Sequence, residues 1–144
     1  MAALITARNT PRKDCPFYAV RSYLVGGGAN IIQGSLVCLD AGGVLVSGYT
    51  ATGLRVVGRA MDGFDNTAGG GGIFRTNVES GTFRWENDGL DALVISELGD
   101  LCYITDDQTV CASDGVGTKS GAGYVCHIES SGVWVTTPFP LPSQ

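Results

Sequence analysis

The alternation of apolar and polar residues through positions 53–87 is the strongest constraint on this chain. Leu54, Val56, Gly58 and Ala60 fall on one face of an extended segment, with Arg55, Val57 and Arg59 on the other. Phe74, Thr76 and Val78 repeat the pattern, and Phe83 and Trp85 resume it beyond Gly81. A period of two, carried by β-branched and aromatic residues, marks half-buried strands. The stretch reads as strand, glycine-rich loop, strand, tight turn, strand, with an apolar inner side and a polar outer side. Long helical periodicities are missing elsewhere. Gly supplies 22 of the 144 residues, about twice its usual share. Short strands joined by glycine turns, folded as one all-β domain, are the economical solution.

The same grammar runs along the rest of the chain. Residues 1–16, with Pro11 and Pro16 and four charges, read as an N-terminal arm, extended or ordered by a partner. Residues 17–25 form the first strand-like run, which Gly26-Gly27-Gly28 breaks. Such a run implies a turn with positive φ or a close backbone approach. It is not followed by the capped helix that a phosphate loop requires. Residues 34–48, 99–113 and 121–135 each carry a cysteine-bearing apolar strand, a polar turn and a second valine-containing strand. Their turns centre on Asp40-Ala41-Gly42-Gly43, Asp106-Asp107 and Ser130-Ser131-Gly132, which predicts three hairpins. Residues 62–72 form a long loop closed by four glycines, of the length that is usually functional or disordered. Residues 90–98 alone resemble a helix, of one or two turns at most. The domain is expected over 17–137, with a proline-rich tail at 138–144 that cannot continue a ladder.

Charge and cysteine content narrow the function. The net charge is −5. Six basic residues against Asp14 and Asp40 leave +4 over residues 1–59, and three against twelve acids leave −9 over 60–144. An acidic total argues against non-specific nucleic-acid binding, whereas the basic arm could meet an acidic protein surface. No apolar run approaches a membrane span. The five cysteines, Cys15, Cys38, Cys102, Cys111 and Cys126, are odd in number and lack CxxC spacing. They read as free thiols of a chain made in a reducing cytosol. Cys38, Cys102 and Cys126 stand in apolar strand runs, where a thiol acts as a small hydrophobe.

No catalytic or metal-binding constellation emerges, and neither enzyme activity nor a cofactor is expected. His127 is the only histidine, and strand alternation points it away from its neighbour Cys126. Zinc would need ligand pairs that are absent. Asp106-Asp107 and Asp62 with Asp65 could offer oxygens to calcium, but adjacent turn aspartates more often cap their own backbone. Trp85 and Trp134 could form a sugar platform, with core or interface packing as the plainer reading.

Five stretches together carry a resemblance: VGRA at 57–60, DNTAG at 65–69, SGTFRW at 80–85, LGDLCYITDDQTV at 98–110 and AGYVCHIESSGVWV at 122–135. In that order they resemble the capsid cement, or head decoration, proteins of tailed bacteriophages. The resemblance implies a jelly-roll-like β-sandwich with at most one short helix. It implies a place on the outer surface of an icosahedral virion, reached after synthesis in the host cytoplasm. The partners would be the major capsid protein and further copies of this chain, as a homodimer or homotrimer, and neither nucleic acid nor membrane. The family offers no active-site motif to transfer. Expected contacts lie in the basic arm (Arg8, Arg12, Lys13 and, just beyond it, Arg21), the 62–72 loop (Phe64, Asp65) and the C-terminal segment (Trp134, Phe139, Leu141). The alternative is a receptor- or carbohydrate-binding β module of a phage particle, with Trp85 and Trp134 as platforms. A small β-barrel enzyme would instead need a pocket joining His127 with two carboxylates.

Overall fold

A computed structural model describes residues 19–137. The expected arm at 1–16 and tail at 138–144 lie outside them, as do Cys15 and the first two residues of the domain. The described elements are eleven strands and one single-turn 3-10 helix, so the all-β class holds. The strands are β1 (Ala19–Leu24), β2 (Asn30–Ile31), β3 (Leu36–Leu39), β4 (Leu45–Ser47), β5 (Arg55–Ala60) and β6 (Phe64–Asp65). Then come β7 (Arg75–Asn87), the 3-10 turn Ile95–Glu97, β8 (Leu101–Ile104), β9 (Thr109–Cys111), β10 (Gly121–Glu129) and β11 (Gly132–Thr137).

The tight turn expected near Gly81 is absent. Residues 75–87 form one strand, and Gly81 continues it at φ 154, a conformation that side chains disfavour. At this point β7 changes partners. Its first half lies between β1 and β5, with Glu79 opposite both Val20 and Arg59. Its second half pairs antiparallel with β11, from Gly81↔Thr137 to Trp85↔Val133, and parallel with β9 at Glu86 and Asn87. The pairings β7–β11–β10–β8–β9–β7 close a five-stranded ring. The path β1–β7–β5–β3–β4 returns to the end of β1 through the Val25–Leu45 bridge. Closure of the five-stranded ring removes strand edges there that would otherwise invite pairing with other chains.

Two cores result. One gathers Trp85, Cys102, Ile104, Val110, Val125, Val133 and Val135 with Leu36, Cys38, Leu54 and Val56. The other holds Val25, Ile31, Val37, Leu45, Val57, Ala60 and Val78. β3 and β5 are therefore buried on both faces, which corrects the expected polar outer side. The cause is a bulge. Gly58 pairs with Val37 and Val56 with Cys38, so Val57 is an extra residue that resets the alternation. Gly58 is held at φ 143, and any Cβ there would run into the backbone of Glu79.

The three hairpins form as expected, joining β3–β4, β8–β9 and β10–β11. The Asp40 carboxylate accepts from Gly42 N at 2.8 Å and Val44 N at 3.3 Å. The two glycine runs meet: a Cβ on Gly27 would lie 2.9 Å from Gly71 N. Asn66, buried between them, donates to the Gly26 carbonyl at 2.9 Å and the Gly70 carbonyl at 3.1 Å. The 62–72 loop is thus tied to the second core. Cys38, Cys102 and Cys111 are buried, whereas Cys126 is exposed, against expectation. Cys126 follows the buried Val125 and so takes the opposite, outward face. The bulge between Val125 and His127 leaves it unpaired and sets His127 outward as well, not away from Cys126 as alternation predicts.

Candidate functional site

The residues between β7 and β8 place apolar side chains in water. Leu90 is 99% exposed and Ile95 68%, and Val94 and Leu98 are also exposed, while Leu93 anchors the segment in the first core. The segment is not slack. Asn87 brackets Leu93, donating to its carbonyl at 2.9 Å and accepting from its N–H at 2.8 Å. Asp88 accepts from Leu90 N at 2.9 Å and from the Thr105 hydroxyl at 2.9 Å. Glu97 accepts from Val94 N at 2.8 Å. Each bond satisfies a backbone group or fixes a side chain in a turn that would otherwise explore many conformations.

A second loop, residues 112–120, leaves from the same end of the ring. β7 and β9 run parallel and both end there, and β8 begins there. Asp91 stitches the loops together. Its carbonyl accepts from Ala112 N at 3.0 Å, and its carboxylate accepts from the Ser113 hydroxyl at 2.7 Å and the Ser113 N–H at 2.9 Å. The Ser113 hydroxyl and N–H hold the Asp91 pKa below its usual value. At the tip of the second loop stands Val116, 99% exposed with φ 58. It is the one non-glycine residue with positive φ among those described. A β-branched residue in that region is strained, and such strain gathers at functional positions.

A second feature lies on β7, β10 and β11. Glu129 Oε1 accepts from the Trp134 indole N–H at 3.0 Å, from Ser131 at 3.0 Å and from Arg84 at 3.5 Å. These bonds, the indole's first, lower the Glu129 pKa. His127 Nε2 stands 3.9 Å from the other carboxylate oxygen. The Ser131 hydroxyl thus bonds the carboxylate and not the imidazole, the reverse of a base beside a nucleophile. Arg84 lies 6.0 Å from the Trp134 ring centroid, and Arg59 lies 4.9 Å from that of Phe83 while pairing with Glu79 at 2.6 Å. The ring side chains and both arginines line an open groove of about 440 Å³ with Gly34, Thr82 and Trp85. Trp85 is only 6% exposed and belongs to the core, so it cannot serve as a sugar platform. Trp134 is half-buried.

The expected contact residues are not gathered. Arg8, Arg12, Lys13, Phe139 and Leu141 lie outside the described residues. Arg21 is half-buried on β1 and bonded to Tyr23. Phe64 packs its ring 4.7 Å from Phe74, and Asp65 accepts from Thr67 in a local turn. Trp134 belongs to the other ring. Leu90, Val94, Ile95, Leu98 and Val116 were not anticipated. For the first four the signal is the apolar run over 90–98, which reads as a short helix; Val116 gives none. Among the described residues no group of three His, Cys, Asp or Glu could hold a metal ion, and no helix is long and apolar enough to cross a membrane. Comparison with protein-family models, with curated proteins and with solved structures gave no match for this chain.

Proposed function

We propose that this chain is a structural virion protein that binds the outside of a tailed-phage capsid and cements its major capsid protein subunits. One observation supports the reading most: hydrogen-bonded turns at one end of a ring hold Leu90, Val94, Ile95 and Val116 outward. A protruding apolar surface suits a protein partner, whereas small ligands favour concave sites. In this reading the two linked strand systems are the layers of a jelly-roll-type sandwich. Its apolar end docks, and repetition over the lattice supplies avidity from modest single contacts.

The test is binding of purified protein to undecorated cognate shells, followed by cosedimentation and imaging. Leu90→Ser with Ile95→Ser should weaken binding per site by about 2–3 kcal/mol, roughly a hundredfold, from the lost apolar burial. Stability should change by less than about 0.5 kcal/mol, because both side chains are already in water. Unchanged shell occupancy at limiting concentration would remove this surface from the interface. Absence of ordered density from the native chain would remove the capsid reading itself.

The Trp134 groove favours a second reading, carbohydrate binding, because it sets an aromatic ring beside fixed hydrogen-bonding groups. A glycan array read with tryptophan quenching tests it. Array binding that survives Trp134→Ala would exclude Trp134 as the platform.

A further inference from the structure

The structure places one buried thiol against one amine. Cys111 ends β9 with its side chain buried, and Lys119 closes the loop that follows. Lys119 Nζ donates to Cys111 Sγ at 3.1 Å. The thiol proton is directed elsewhere, toward the Ser113 carbonyl at 3.4 Å, which leaves a sulfur lone pair facing the nitrogen. The approach is enforced by the loop. The Asp114 carbonyl accepts from both Thr118 N at 2.9 Å and Lys119 N at 3.0 Å, and its carboxylate accepts from Val116 N. Ser120, the next residue, is fully buried and bonded to Ala51 and Leu54. Lys119 therefore has a fixed origin on both sides. The negative charges of Asp88 and Asp91 lie near its amine.

We propose that Cys111 and Lys119 are an oxidative cross-linking site, closing an Sγ–O–Nζ bridge when the protein meets dioxygen. The balance is complete with dioxygen as the oxidant. The S–H bond and one N–H bond break, and S–O and N–O bonds form. Lys119 first gives one ammonium proton to solvent; the thiol and the resulting amine then each give up two electrons, and dioxygen accepts four. One oxygen becomes the bridge, and the other leaves as water with the thiol proton and one amine proton. The second amine proton stays on nitrogen. Burial of Cys111 excludes larger thiols, so mixed disulfides do not compete, while a diatomic oxidant can reach the sulfur. The bridge would covalently close the loop that carries Val116, fixing it in a particle that leaves the reducing cell.

The full-length chain provides its own readout. Lys119 is the last Lys or Arg in the sequence and Arg84 the one before it. Trypsin therefore separates Cys111 from Cys126 only if it cuts after Lys119. Protein held under air should lose that cut and gain one oxygen with the loss of two hydrogens, located by fragmentation to Cys111 and Lys119. Dithiothreitol should restore both the cut and the mass. Lys119→Arg keeps the positive charge and should abolish the species, as should Cys111→Ser. Normal cleavage and unchanged mass after prolonged aeration would overturn the proposal. So would the same species in Lys119→Arg, a loss of two hydrogens without added oxygen, or a sulfinic acid at Cys111 beside intact Lys119.

Discussion

Gly58 shows how one residue constrains this architecture. It lies where β5 crosses β7, and a Cβ there meets the Glu79 carbonyl and the Ser80 backbone, which cannot rotate away. Gly58→Ala should lower unfolding free energy by about 3 kcal/mol or more, read from urea midpoints at constant slope. Gly53 and Gly99 provide the control. Their φ values are 78 and 88, but nothing lies within 4 Å of an added Cβ. Alanine at either should cost only the left-handed conformation, about 1–2 kcal/mol. An equal loss at all three would mean that φ, not the close approach, dictates glycine at position 58. Asn66 makes a related argument with hydrogen bonds. Its amide donates to the carbonyls of Gly26 and Gly70 from a buried position. Asn66→Ala removes both bonds and leaves the Gly26 carbonyl only Ala29 N, at 3.2 Å, which should cost about 1–3 kcal/mol. Asn66→Asp should be worse, because it turns a carboxylate oxygen toward them.

At the scale of elements, the hairpins were legible and the bulges were not. Asp40, Asp106 and Ser131 sit in turns whose residue types dictate the reversal, so sequence located β3–β4, β8–β9 and β10–β11. Alternation, by contrast, carries a phase that one extra residue inverts. Val57 and Cys126 are such residues, and neither differs in type from an ordinary strand residue. Gly81 misled in the other direction. A glycine between apolar runs reads as a turn, yet here it lets a thirteen-residue strand pass from one set of partners to another. The apolar end surface was hidden because Leu90, Leu93, Val94 and Leu98 match helical spacing. The chain instead spends that spacing on one anchor, Leu93, and three exposed side chains. The anchor is not the only support. Asp91→Ala removes both Ser113 bonds and should raise amide hydrogen exchange through residues 88–98 and 112–119 together, leaving β10 and β11 protected. Exchange that rises in one loop alone would show that Asp91 does not couple them.

At the scale of the molecule, the charge asymmetry of the sequence does not divide the fold. Arg59, from the basic part, pairs with Glu79, from the acidic part, because β5 lies against β7. The arrangement interleaves the two halves, and β3 and β5 stand with one core on each side. Cys38 and Cys102 meet in the first of those cores. Burial raises the pKa of both thiols. For Cys102 it is pushed up to about 12, with the charge of nearby Cys111 adding to desolvation. An unfolded thiol titrates near about 8.5. Above that value the unfolded chain releases protons that the folded chain retains, so the stability present below it is lost as pH rises toward the folded values. Each thiol should remove about 1.4 kcal/mol per pH unit in that window. Between about pH 8 and pH 10.5 the loss should be roughly 2–3 kcal/mol per thiol. Tyr23 also titrates upward from its usual value through burial, so the total slope has more than one source. The measurement is therefore a difference of slopes, from urea unfolding of the native chain, Cys102→Ala and Cys38→Ala across that range. Each variant starts less stable at about pH 8, since it leaves a small void. Each should then lose less stability with rising pH than the native chain, and the double variant less again. Parallel slopes in all four proteins would mean that the thiols are already ionised, or that water reaches the core where β3 and β5 close it.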